Sequence, residues 1–322
     1  VIYNRIGRSY DNIGNYTEAL KHYEKSLTIQ IKILGLEHPD VAASYSNIGS
    51  IYTVTGQYSK ALDYFNRCIK IEIKKLGTEH PDVAASYSNI GLLYSKTGQF
   101  DLALEYLNKS LSIRLKKFGE DNLYVSSSYN NLGSTCLRIG QYEKAIDFFN
   151  KSLIIRLKKL GSMHIDTATV YNNLGISYSF IGQYVKANEY YKKALTIMLT
   201  KLGSEHPSVA TSYNNIGSNY SKMGEFFNAI EYHKKSLQIR LKKLGEDHPD
   251  TAISYNNIGD FYSTIGNQLK AIEYYNKSLL ILKKKLGEDH PYIASSYNNI
   301  GLTYKKMNKL ETAIEYYKKS LQ

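Results

Sequence analysis

Glycine recurs in this chain with an unbroken period of 42 residues: Gly7, Gly49, Gly91, Gly133, Gly175, Gly217, Gly259 and Gly301. Two further series at the same period, starting at Gly14 and Gly35, account for the rest of the 22 glycines. Such a period marks a repeat array, in which each unit is one supersecondary element that cannot bury its apolar face alone. The sequence reads as one domain over 1–322, with complete repeats 37–78, 79–120, 121–162, 163–204, 205–246 and 247–288 and partial repeats 1–36 and 289–322.

One repeat shows the expected architecture. Pro39 suits a first helical turn, where its missing N–H would be unpaired anyway, and Asp40 suits the positive end of the helix dipole. Tyr45, Ile48, Gly49 and Tyr52 then fall at i, i+3, i+4 and i+7, an apolar stripe with glycine where another helix must come close. Gly56 ends this helix. A second is predicted from about Tyr58 to Leu76, burying Ala61, Tyr64, Phe65, Cys68, Ile69 and Ile73, and Gly77 terminates it. The 31 tyrosines and 9 phenylalanines, with no tryptophan, fit a few aromatic slots refilled in every copy.

The string Tyr45-x-Asn47-Ile48-Gly49-x-x-Tyr52, followed by Gly56-x-Tyr58, Ala61 and Phe65, resembles the tetratricopeptide repeat, with Tyr45 in the family's usual Trp slot. The period of 42 and the linker Leu76-Gly77-x-Glu79-His80-Pro81-Asp82 resemble the kinesin light chain subgroup. The resemblance implies an all-α fold, a right-handed solenoid of stacked antiparallel helix pairs, and a protein-binding, non-enzymatic role. Departures are scattered: Cys136 stands in the Tyr52 slot, Gln268 and Leu310 in the Tyr58 slot, and Asn308 in a glycine slot.

Asn47 lies two positions after Tyr45, about 200° around the helix from it. Its equivalents are Asn89, Asn131, Asn173, Asn215, Asn257 and Asn299, while Arg5 stands there in the partial first repeat. Asparagine is a mediocre helix former, so its recurrence mid-helix asks for a reason. One reason is a ladder of amides that donate to and accept from the backbone of an extended ligand, the part groove asparagines play in the resembled family. The other is that each amide pins a neighbouring helix. Both stay open on the sequence alone.

Residues at −4, +3 and +7 from each Asn share its face and vary from copy to copy, so selectivity is expected there. The +7 positions include Lys96, Arg138, Phe180, Lys222 and Lys306, against the single acid Asp260 in the whole stripe. The expected partner is therefore an acidic protein segment, an extended peptide or a short helix. The two-carboxylate clamp of chaperone-binding relatives needs basic residues at the Ala43 and Asn47 slots together, which no complete repeat supplies.

A formal charge of +12 raises the competing reading of an RNA-binding repeat, but base-reading repeats vary their central residue and this one does not. A third reading is the recognition arm of a larger multidomain enzyme. Cys68 and Cys136 make no disulfide framework and read as core thiols, which points to a reducing compartment, the cytoplasm. No apolar run approaches membrane-spanning length. Opening at Val1 within a helical pattern and stopping at Gln322 within another, the sequence reads as a piece of a longer protein.

Six linker histidines, His38, His80, His164, His206, His248 and His290, are a repeat apart, too far to share a metal, and Asn122 in the same slot suggests helix capping. The glycine spacing fits no phosphate-binding loop. Lysine pairs such as Lys74-Lys75 and Lys242-Lys243 complement the negative end of the second helix. No cofactor, metal, small-molecule substrate or membrane partner is expected.

Overall fold

Helix starts are where the repeat spacing takes physical form. In the computed structural model, which describes residues 2–288 and 291–321, the imidazole Nδ1 of His38 accepts the backbone N–H of Asp40 at 3.1 Å. His80, His164, His206 and His248 accept the equivalent N–H at 3.1 to 3.2 Å, and Asn122 does so through Oδ1 at 2.8 Å. The linker histidines are N-caps, satisfying a donor the helix leaves unpaired. His290, the sixth of them, lies outside the described residues.

Sixteen α-helices and no strand occur among the described residues. They are α1 (Ile2–Asn12), α2 (Tyr16–Leu34), α3 (Pro39–Val54), α4 (Tyr58–Leu76), α5 (Pro81–Lys96), α6 (Phe100–Phe118), α7 (Leu123–Ile139) and α8 (Tyr142–Leu160), followed by α9 (Ile165–Phe180), α10 (Tyr184–Leu202), α11 (Pro207–Lys222), α12 (Phe226–Leu244), α13 (Pro249–Thr264), α14 (Gln268–Leu286), α15 (Pro291–Lys306) and α16 (Leu310–Ser320). The fold is all-α, as the period implied.

Two glycine positions show why the residue cannot vary. A Cβ on Gly49 would lie 2.7 Å from Cε1 of Phe65, so glycine lets α3 sink onto the ring of α4. Gly77 ends α4 at φ +84° and ψ 163°, backbone that L side chains rarely adopt. Where Asn308 replaces a glycine it adopts φ +60°, the left-handed region asparagine tolerates.

The chain forms two compact units, residues 1–161 and 162–322. Within each, every first helix packs on its own second helix, and α3, α5 and α7 in the first unit and α11, α13 and α15 in the second also pack on the second helix of the repeat before. First helices of successive repeats also meet directly, α3 with α5 and α5 with α7 in the first unit, α9 with α11 and α11 with α13 in the second.

This double grip widens the buried arc of the second helix beyond one stripe. In α4, Ala61, Phe65, Cys68 and Ile69 are buried as expected, Glu72 continues the Ala61–Phe65–Cys68 stripe, and Ile71 widens it on the side opposite Ile69, while Ile73, expected in the core, is half-buried. Tyr64 is half-buried because it closes an aromatic triplet at the edge, its ring 5.8 Å from Tyr45 and 5.4 Å from Tyr52. Tyr171, Tyr178 and Tyr190 repeat the triplet.

Candidate functional site: the first-helix wall

The asparagine slot lies where first helices stand side by side, and five amides along it are already engaged. Asn89 donates through Nδ2 to Oγ of Ser46 at 3.4 Å, and Asn131 to Oγ of Ser88 at 3.1 Å. In the second unit Asn215, Asn257 and Asn299 donate to Oδ1 of Asn172, Asn214 and Asn256 at 2.9, 2.7 and 3.2 Å. Each of these rungs ties a repeat to the one before it through the residue preceding that repeat's own ladder asparagine.

The acceptor slot escaped the sequence reading although it carries a signal. It holds only Ser or Asn, giving doublets such as Asn214-Asn215 and Asn256-Asn257. All seven ladder asparagines, Asn47 and Asn173 included, are half-buried. A rung uses one amide hydrogen; Oδ1 and the second N–H remain as capacity for a ligand. Pinning a neighbour and offering polar atoms to a ligand are therefore compatible.

The varying stripe flanks these rungs. At −4, Ala43, Ala85, Thr169, Thr211 and Ser295 are exposed, and at +7 so are Lys96, Arg138, Phe180, Lys222 and Lys306. In the second unit Lys222 Nζ donates to Ser179 Oγ at 3.2 Å and sits 4.9 Å above the ring centre of Phe180. Although the residue as a whole is exposed, local desolvation of its ammonium pulls its pKa below the ordinary lysine value. Lys306 Nζ donates to Ser263 Oγ at 3.0 Å. Among the described residues none of the four cations, Lys96, Arg138, Lys222 or Lys306, forms an ion pair within 4.0 Å.

The lysines at second-helix ends behave differently. Lys74, Lys116, Lys242 and Lys284 pair with Glu37, Glu79, Glu205 and Asp247, 37 residues earlier in each case. Lys158 pairs with Asp121 at 2.5 Å. They complement the helix end and also hold the preceding linker.

Asp260, the lone acid of the stripe, is tied back. Its Oδ1 accepts the Tyr275 hydroxyl at 2.7 Å and its Oδ2 the Asn256 amide at 3.4 Å. Although the residue as a whole is exposed, its carboxyl is held against Tyr275, and desolvation raises its pKa despite that hydrogen bond and the nearby Lys306 charge.

In the first unit a polar cavity opens between α1, α2 and α3, lined by Arg5, Arg8, Asn47 and Ser50 along with Asp11 and Asp40. Arg5 there occupies the ladder position itself. Both thiols are buried, with Cys68 pushed up to about 12 by burial and by Glu72, and Cys136 raised by burial.

A second missed feature lies between repeats. A serine in the first helix meets a longer side chain reaching across from the preceding second helix: Glu72 accepts from Ser86 at 2.7 Å, while Arg114 and Arg240 donate to Ser128 and Ser254, each at 2.8 Å. All three long side chains are buried. Their slot changes character from copy to copy, so the periodic reading passed over it.

The Tetratricopeptide repeat family model matches residues 1–72, 44–116, 82–158, 124–200, 208–284 and 269–322. No curated protein matches the chain. Among solved structures, the kinesin light chain TPR-like repeats of Podosopora anserina are 25% identical, covering 65% of this chain and 99% of theirs with a TM-score of 0.55. Aspartyl phosphate phosphatase F from Bacillus subtilis is 17% identical over 92% of this chain and 73% of its own, TM-score 0.67. A signal transduction ATPase of Pyrococcus horikoshii with a tetratricopeptide repeat sensor is 16% identical over 99% of this chain and 46% of its own, TM-score 0.69. The last two likenesses concern the fold alone.

Proposed function

The chain belongs to the tetratricopeptide repeat family, and from that premise we infer that it is a non-catalytic scaffold whose first-helix wall binds an acidic peptide, extended or as a short helix. The observation that carries the acidic preference is the contrast between two sets of cations. Lysines at second-helix ends are matched by linker acids, whereas Lys96, Arg138, Lys222 and Lys306 have no ion-pair partner among the described residues. A carboxylate arriving with a ligand supplies what these four lack. Buried free thiols suit a reducing compartment, and we place the protein in the cytoplasm.

The test is a fluorescence-anisotropy panel on the full chain with acid-rich, charge-inverted and neutral peptides of equal length, and with oligouridylate. The acid-rich peptide binds best, and both Lys96→Glu/Arg138→Glu and Lys222→Glu/Lys306→Glu weaken it at least tenfold while helicity is retained. Indifference to both double variants, or a preference for the basic peptide, overturns the acidic groove. Tighter oligouridylate binding with a steep salt slope at physiological ionic strength moves the assignment to RNA.

A further inference from the structure

The slot between repeats is filled differently along the second unit. On α12, Arg240 reaches across to the Asp250 carbonyl and the Ser254 hydroxyl, both at 2.8 Å. One repeat later the same position, on α14, is Leu282. The matching acceptors there, the Tyr292 carbonyl and the Ser296 hydroxyl, bond to each other at 2.9 Å. In the first unit Glu72 and Arg114 fill the place, and in the second the sulfur of Met198 still accepts from Ser212 at 3.1 Å, so Leu282, with no polar atom to offer the serine, breaks the pattern.

What Leu282 leaves behind is a half-open cavity of about 260 Å³ between α13, α14 and α15. Of its lining residues Leu282 and Ser278 are buried, Ile253 and Asn256 half-buried, and Ser295 and Tyr292 exposed, so the cavity opens toward Ser295. Ile253 and Ser295 are the −4 positions of the varying stripe, and Asn256 accepts the rung from Asn299 at 3.2 Å. The cavity is thus continuous with the wall already described. Among the described residues no charged side chain lines it, and burying a charge in such a place is costly. Its volume falls below the ~300–1,000 Å³ of sites that take a whole small molecule and suits one side chain.

We propose that this cavity takes a branched aliphatic side chain of the bound segment, which rests on the peptide reading above. The occupant carries its acids on the far side of the apolar anchor, because Lys306, at +7 on α15, stands eleven residues from Ser295, about 16 Å along the helix. An aliphatic anchor at one end and an acid at the other define the direction in which a segment crosses this repeat.

The probe is 3-methylbutan-1-ol, a leucine side-chain mimic, titrated into the full chain with ¹³C-labelled Ile and Leu methyls. Saturable shifts at Ile253 and Leu282 are expected. Leu282→Arg, which places Arg240's side chain one repeat on, abolishes them and melts no lower than the parent. Ser295→Phe closes the mouth from an exposed position and weakens the probe at least tenfold, so the test stands even should the first variant misfold. Shifts that do not saturate, or that survive both variants, overturn the pocket. Loss of acidic-peptide binding in Lys222→Glu/Lys306→Glu reports on the groove, and that variant leaves the alcohol titration unchanged, so the two readings fail separately.

Discussion

At Gly175 a Cβ would sit 2.6 Å from both Cδ1 and Cε1 of Tyr191, a ring only 3% exposed. Gly175→Ala therefore forces a packed tyrosine to move, and we expect a loss of about 1–3 kcal/mol in urea denaturation. A loss no larger than helix propensity predicts would show that the ring gives way freely. The need for glycine was legible, since a helix-breaking residue inside an apolar stripe has few other reasons to recur. The ring slot opposite it concealed an exception, His233. A histidine in the place of Phe65 says nothing of its state until its surroundings are known. It is 2% exposed, and desolvation, aided by Arg240, lowers its pKa to about 4. Because the unfolded chain takes up the proton near pH 6.5, stability is complete above that pH and falls as pH drops toward 4. His233→Phe should remove about 2 kcal/mol of acid sensitivity between pH 7.5 and 5, read as the difference between variant and parent denaturation curves. Parallel curves would mean the imidazole is not buried neutral.

Among the elements, the helix-end ion pairs carry their own control. In the repeat 163–204 the acid slot holds Met163 and the lysine slot Thr200, so both members of the pair are missing together. Met163→Glu with Thr200→Lys should raise the melting temperature slightly at low salt, an advantage lost at high salt, while neither change alone does so. Equal melting of the double and single variants would sink the idea that the pair holds the linker. The rungs allow a stronger statement: Asn215→Ala and Asn257→Ala each remove a half-buried amide bond and should cost about 1 kcal/mol. Unchanged stability in both would leave the amides with a ligand role alone. The face these asparagines occupy follows from helix geometry within one copy. Their partners do not, because contact between copies depends on how neighbouring helices are offset. The same limit hid Glu72, Arg114 and Arg240, whose slot makes sense only once the next repeat's serine is beside it.

At the level of the whole molecule, two compact units of stacked pairs imply stability assembled from neighbours and not from one central core. Helices α1 and α16 bury one residue apiece, Gly7 and Ala313, whereas α9 buries nine. Hydrogen exchange should therefore find the amides of α1 and α16 opening well before those of α5 or α11. Uniform protection across all sixteen helices would contradict repeat-wise cooperativity. The all-α repeat was readable from the glycine period because the same packing problem is solved identically in each copy. The pocket at Leu282 was not, since its cause is one residue that fails to do what its counterparts do.

The rungs have a further consequence for anything that lies along the wall. Neighbouring first helices stand roughly 8–10 Å apart, and an extended chain advances about 3.3 Å per residue. Asn215, Asn257 and Asn299, held by their bonds to Asn172, Asn214 and Asn256, therefore meet roughly every third residue of an extended guest. Since those amides are clamped before the guest arrives, little side-chain freedom is left to freeze on contact. On the peptide reading proposed above, the wall works as a ruler with fixed marks, accepting a sequence whose polar backbone groups come free at that interval and passing over one whose register slips.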